Sequence, residues 1–260
     1  MSSTPAPTVL LEIREQVAYL TLARPEAANS MNLQFGHDFL GAALAIGKSR
    51  ARAVLLSGQG RHFCFGGDLK GMEASDDIHA HLTELTTHLH AGMAHLASLD
   101  APVIAAVNGT AAGGGLGLVL AADLAIAARS ARFAPAYLGV GLTPDAGCTF
   151  LLPRAVGYKR AMEMLLTNRV LDAQQALDWG LVNDVVDDEA LARTAGELAA
   201  RLAAGPLAAH GRLKRLLAES ESGFETHLGR ESRAIAAQGS SAEGREGIAA
   251  FLQKRPPRFG

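Results

Sequence analysis

"NGTAAGGGLGLVLAAD", residues 108–123, decides how the rest of the chain is read. The apolar run before it, "VIAAV" (103–107), reads as a strand, and the segment after the triplet Gly113–Gly115 reads as a helix beginning near Gly114. Glycines at that junction leave the first N–H groups of the helix uncovered, ready for an anionic or strongly polarised oxygen. Close packing of helix on strand would use the same residues, and the local pattern leaves both uses open. Three common motifs do not fit. The dinucleotide fingerprint fails because the residue three after Gly115 is Leu118, no Gly-Lys-Ser/Thr follows for a phosphate loop, and G-x-S-x-G occurs nowhere in the chain.

A second stretch shifts the balance. "SGQGRHFCFGGDLKGM" (57–72) also follows an apolar run, "AVLLSG" (53–58), and places Gly66 and Gly67 ahead of a helical pattern. One backbone N–H from each turn can grip a single oxygen. Preorganised donors of this kind stabilise developing negative charge, and removing one costs roughly 3–4 kcal/mol of barrier. The enolate of a thioester is a charge of that kind.

Around these turns, "VAYLTL" (17–22) and "LAIAA" (124–128) are further strand candidates, separated by helical patterns near 33–46 and 82–99. Alternating strands and helices predict an α/β fold with parallel strands. In "DAQQALDWGLVNDVV" (172–186), Asp172 is set to cap a helix, Gly180 to end it, and Leu181–Val186 to follow as a strand. From about residue 188 the pattern is helical and rich in Ala and Leu, broken at "GP" (205–206) and at Gly239–Ser240. The expected division is a core over 1–200 and a helical C-terminal region over 201–260.

Composition narrows the classes. The chain has 260 residues, 48% hydrophobic and 19% charged, which predicts a soluble globular protein. A net charge of -2 without a basic face argues against nucleic acid as a partner. No window is apolar enough to span a membrane, and "MSSTPAPT" (1–8) reads as a frayed tail without a leader pattern, so a cytoplasmic location is expected. Cys64 and Cys148 are too few for a disulfide framework and read as buried thiols. His79, His81, His88, His90 and His95 crowd one helical stretch whose buried stripe is Leu82, Leu85, Leu89, Met93 and Leu96. Residues seven apart on a helix lie roughly 10 Å from each other and no acid or thiol completes a set, so no metal is expected and most of these rings read as solvated. His90 falls at the edge of the stripe, where it can turn inward.

The two glycine turns carry a resemblance. Together with "ARPEAANSMN" (23–32), "GLTPDAGCTFLLPRAVG" (141–157), "RAMEMLLTNR" (160–169), "DWGLVNDVV" (178–186) and "REGIAAFLQKR" (245–255), they make nearly the whole chain resemble the crotonase superfamily of enoyl-CoA hydratases and isomerases. The resemblance implies a spiral of ββα units with a C-terminal helical region that joins trimers, often stacked as hexamers. It implies an acyl-CoA thioester as substrate, with no cofactor beyond the CoA that the substrate carries. It places the oxyanion hole at the amides of Gly67 and Gly114, Lys70 near the CoA phosphates, and Phe251 and Lys254 at the adenine end of a neighbouring subunit's site. The acyl pocket is expected to be lined by Phe65, Tyr137, Leu138 and residues of 72–96.

The same resemblance exposes a gap. The two glutamates of the hydratases fall at Gly117 and Tyr137, so the two-carboxylate mechanism is not available. Asp145, in "GLTPDAG", matches the acid of a branch that includes Δ3,Δ2-enoyl-CoA isomerases and ring-opened epoxyphenylacetyl-CoA isomerases. One carboxylate suffices for a 1,3-proton shift while an oxyanion hole holds the enolate. Asp145 is also placed to cap the helix after it. A hydrolytic alternative resembles the 4-chlorobenzoyl-CoA dehalogenases, with Asp145 as nucleophile, His90 as base and Tyr137 where those enzymes have tryptophan. A third alternative is a CoA-ester-binding protein without catalysis.

Overall fold

The computed structural model describes residues 6–219 and 224–259, apart from the side chains of 224, 225, 227 and 251. The strands are β1 (Val9–Arg14), β2 (Val17–Leu22), β3 (Ala53–Gly58), β4 (Val103–Val107), β5 (Thr110–Ala112), β6 (Leu124–Ala128), β7 (Arg132–Ala134), β8 (Leu171–Asp172) and β9 (Asp184–Val186). The helices are α1 (Leu33–Gly47), α2 (Leu69–Glu73), α3 (Ile78–Ser98), α4 (Gly114–Ala121), α5 (Cys148–Val156), α6 (Tyr158–Thr167), α7 (Ala173–Trp179), α8 (Leu191–Ala203), α9 (Leu207–Ala218), α10 (Phe224–Gly239) and α11 (Ala242–Leu252).

One sheet runs β1-β2-β3-β4-β6-β9 and a smaller one runs β5-β7-β8. Strands β2 to β9 of the large sheet pair in parallel, while β1 pairs antiparallel with β2. Successive turns of chain place one strand in each sheet before a helix: β4, β5, α4, then β6, β7, α5. The unit containing β3 joins the small sheet through the isolated bridge between Cys64 and Ala111. This is the expected spiral of ββα units.

Alternation within the strands builds two cores, because successive side chains leave opposite faces of a sheet. Leu20, Val54, Leu56, Ala105 and Ala127 face α1, α3 and α4 in one cluster with Phe35, Phe39, Leu89 and Leu116. Val17, Leu55, Ile104, Ala106 and Ile126 face the other way, against the α8 stripe Leu191, Ala195, Ala199 and Ala203. Both faces are covered, so the parallel strands read as unbroken apolar runs.

Asp172 caps α7 with a reciprocal bond from Gln175, and Gly180 ends it at φ 80°. Four expectations need correction. The strand expected over 181–186 is only Asp184–Val186, because Leu181 and Val182 are spent in the turn that closes α7. The tail expected over 1–8 is not frayed at its end: Thr8 is buried, its N–H and hydroxyl both donating to Asp38 Oδ2 at 2.8 Å (residues 1–5 lie outside the described residues). The boundary at 200 falls inside α8, and the chain breaks instead at Ala204–Pro206. Most of the α3 histidines are not solvated: His81, His88 and His95 are half-buried, the Nε2 atoms of His81 and His95 lie buried without a hydrogen-bond partner, and His88 packs on the His37 ring at 3.9 Å between centroids.

α9 is anchored to the core by Lys214, which donates to Asp123 Oδ2 at 2.8 Å and to Ala101 O at 3.1 Å. No described helix is long and apolar enough to cross a membrane.

Candidate active site

The turn after β3 is fixed by a single-residue bridge. Met31 N–H donates to Gly66 O at 2.7 Å, and Asp68 N–H donates to Met31 O at 3.0 Å, on either side of Gly67. No described peptide bond is cis. In the planar trans unit joining Gly66 to Gly67 the N–H therefore points opposite to that carbonyl, away from Met31. The second turn works the same way. Gly113 O accepts from Gly117 N–H at 3.2 Å inside the first turn of α4, so the N–H of Gly114 points back out of the helix start. Among the described residues neither amide has an acceptor in the protein.

The turns touch each other at Gly66. Its φ is 81°, and a Cβ there would lie 3.0 Å from Gly114 N and 2.8 Å from Ala112 O. Only glycine permits that approach. Gly67 and Gly114 both line one cavity of about 500 Å³, walled also by Met31, Phe65, Met72, Leu85, Leu89 and Tyr137. Among the described residues its lining comes from 31–145, and Asp145 is the one carboxylate there.

Asp145 is aimed by its neighbours. Tyr137 Oη donates to Asp145 Oδ1 at 2.6 Å, and Oδ2 lies 3.6 Å from His90 Nε2. His90 reaches across from α3 and accepts the N–H of Ala146 at 3.2 Å. Burial pushes the Asp145 carboxyl up, but the approach of His90 and the bond from Tyr137 outweigh it and hold the group below the ordinary value of 3.8. Burial, reinforced by the charge of the Asp145 carboxylate and by the bond to it, raises the Tyr137 phenol. It stays protonated as a donor. Burial likewise pushes the Cys148 thiol to about 12, an inert neighbour 3.8 Å from Tyr137 Oη. The capping role considered for Asp145 is not used, since α5 begins after Gly147 with no side-chain cap.

The other expected residues divide. Phe65 lines the cavity, edge-on to His62 at 4.6 Å between centroids. Lys70 is exposed on α2, within one turn of Gly67. Leu138 does not line the cavity; it opens a 3-10 turn, and Val140 and Leu142 beyond it take the place expected of it. Lys254 is exposed past the end of α11 and does not line this chain's own cavity, while the side chain of Phe251 lies outside the described residues. Sequence reading missed Met31, Thr110 and Thr143 as lining residues. Met31 lies inside "ARPEAANSMN", where its pairing with Gly67 carries no local signature.

Comparisons with known proteins show the family. The family model for enoyl-CoA hydratase/isomerase matches residues 12–260. The chain is 40% identical to the 1,2-epoxyphenylacetyl-CoA isomerase of Escherichia coli, over 96% of this chain and 97% of the relative. It is 38% identical to 4-chlorobenzoyl coenzyme A dehalogenase-2 of an Arthrobacter species, over 85% of this chain and 82% of the relative. A solved enoyl-CoA hydratase from Polaromonas superimposes with a TM-score of 0.92 at 32% identity, covering 97% of this chain and 99% of that one.

Proposed function

Since the chain belongs to the enoyl-CoA hydratase/isomerase family, we propose that it is an enoyl-CoA isomerase in which Asp145 carries the proton. The substrate is an acyl-CoA thioester whose carbonyl oxygen accepts from the amides of Gly67 and Gly114. Asp145 removes a proton from one carbon of the enoyl system and returns it two carbons away, and no water is consumed. The two amides hold the enolate between the two transfers. No cofactor is required beyond the substrate's CoA, with Lys70 set for its phosphates. The observation that carries this reading is the cavity itself: one carboxylate, two open amides and otherwise mostly apolar walls.

The partner, in this reading, is the chain itself. Apolar side chains on α9 and α10, among them Leu217 and Ile235, stand exposed and suit a homotrimer or a hexamer of two trimers. Phe251 and Lys254 would then reach a neighbour's CoA. A cytoplasmic location fits an enzyme of this kind.

The test is a panel of 2-enoyl-, 3-enoyl-, phenylacetyl-derived and halobenzoyl-CoA esters, run with wild type and Asp145→Asn. The variant should lose turnover about 10²–10⁴-fold and keep its affinity for CoA esters. Unchanged rates would remove the aspartate from the mechanism, and tight binding without turnover of any ester would leave only a binding protein.

A second reading is favoured by the placement of His90 beside Asp145. An ionised Asp145 would add to a halogen-bearing ring carbon and expel halide, leaving an aryl ester on Asp145. His90 would then take a proton from the water that hydrolyses this ester to the hydroxyaryl product and free carboxylate. Quenching with a halobenzoyl-CoA should trap an adduct on Asp145. Its absence with a substrate that turns over would refute this chemistry.

A further inference from the structure

The Gly67 amide is aimed by the Met31 bridge, and the bridge is held from behind by one guanidinium. Arg24 Nη1 donates to Ser30 O at 2.6 Å, and Arg24 Nη2 donates to Asp68 Oδ2 at 3.1 Å. Ser30 precedes Met31 and Asp68 follows Gly67, so the guanidinium closes a ring around the bridge. The other Asp68 oxygen accepts from Gly71 N–H at 3.3 Å, tying the ring to α2. The pair is mostly out of water, with side-chain exposures of 16% and 18%. A planar fork holds two acceptors at a fixed angle, which an ammonium does not.

We propose that Arg24 and Asp68 are positioning residues that set the direction of the Gly67 N–H, and through it the polarisation of the thioester carbonyl. Neither lines the cavity. The inference rests on the oxyanion-hole reading above. A misplacement of about 1 Å at a reacting centre costs on the order of 100-fold in rate, so loosening this ring acts on kcat rather than on binding.

The probe is 3-phenylprop-2-enoyl-CoA. Its absorption moves to longer wavelength when the carbonyl is polarised, and it has no γ-hydrogen to lose. Titrating it into wild type, Arg24→Ala, Arg24→Lys and Asp68→Asn gives affinity and spectrum together. Turnover of a 3-enoyl-CoA gives kcat and KM, and thermal unfolding confirms that each variant is folded. The expected result is a red shift in wild type that shrinks in Arg24→Ala and Asp68→Asn. Affinity should stay within about threefold and kcat should fall about 10- to 100-fold. Arg24→Lys should recover part of both, and it replaces Arg24→Ala in the comparison if that variant does not fold.

A full red shift and full kcat in both variants would overturn the inference and leave the oxyanion hole standing. Weakened affinity with kcat and spectrum intact would also overturn it, making Arg24 a ligand for CoA phosphate. No red shift in wild type would refute the oxyanion hole, and the role of Arg24 with it.

Discussion

Gly117 is the position to which the resemblance assigns a hydratase glutamate, and placing a side chain there should damage this protein rather than convert it. A Cβ at Gly117 would lie 2.4 Å from Ala146 O and 2.6 Å from Ala146 Cβ. Ala146 is fully buried at φ 48°, next to Asp145, and its N–H is held by His90. Ordinary contact needs roughly 1 Å more, and the atoms in the way are backbone or the Cβ rigidly fixed to it, so the "PDAG" turn itself must move. Overpacking of this kind costs about 1–3 kcal/mol. At about 2–4 °C per kcal/mol, Gly117→Ala should lower Tm by roughly 2–12 °C. The same displacement carries Asp145 with it, and about 1 Å there should cost on the order of 100-fold in kcat. Thermal unfolding and turnover of a 3-enoyl-CoA measure the two effects. Gly117→Glu should be worse on both and should not hydrate 2-enoyl-CoA. A Gly117→Ala protein with wild-type Tm and rate would refute the reasoning, as would hydratase activity in Gly117→Glu.

Four other outcomes follow from the site, its supports and the exposed helical surface. Asp145 is held below its ordinary value, so its carboxylate persists above pH 3.8 and is lost only as pH falls through the lower folded value; the acid limb of a pH–rate profile should lie below 3.8. Tyr137→Phe removes a bond to the charged form and leaves burial unopposed on that side, so the limb should move to higher pH; a limb that stays or moves down contradicts this. Lys214→Ala should cost about 1.5–3 kcal/mol in urea unfolding, because its charged bond to Asp123 ties α9 to the core, and an unchanged midpoint would show that α9 is anchored elsewhere. In solution the protein should sediment as three or six copies and Ile235→Glu should dissociate it, whereas a monomeric wild type would remove the subunit-crossing roles of Phe251 and Lys254.

Legibility in the sequence followed the strength of each local signal. β2, β3, β4 and β6 are apolar runs because the sheet is covered on both faces, and those runs stand out along the chain. β1 was not legible: it is an edge strand whose residues after Val9 are largely exposed, so neither a run nor a clean alternation survives. β5 and β7 span three residues each, too short for any period to register. The glycine turns were legible because φ 81° at Gly66 and φ 51° at Gly113 leave a compositional trace. Asp145 stands out through the motif around it, whereas Tyr137 and His90 are tied to it only through the resemblance, since they reach it from separate segments that no local pattern joins. Leu138 was misplaced for a related reason. A 3-10 turn rotates its side chain away from the wall that Val140 then fills, and no pattern in "AYLGVGL" (136–142) encodes that rotation.

The two unsatisfied amides have a consequence beyond chemistry. Protection from deuterium uptake requires an acceptor, and Gly67 and Gly114 have none among the described residues. Their hydrogens should wash out quickly in the empty enzyme although the chain around them is packed. An occupying ester would become their first acceptor and slow both at once. The protein thus carries an unlabelled occupancy gauge at two known positions, which reads binding even for esters that it never transforms.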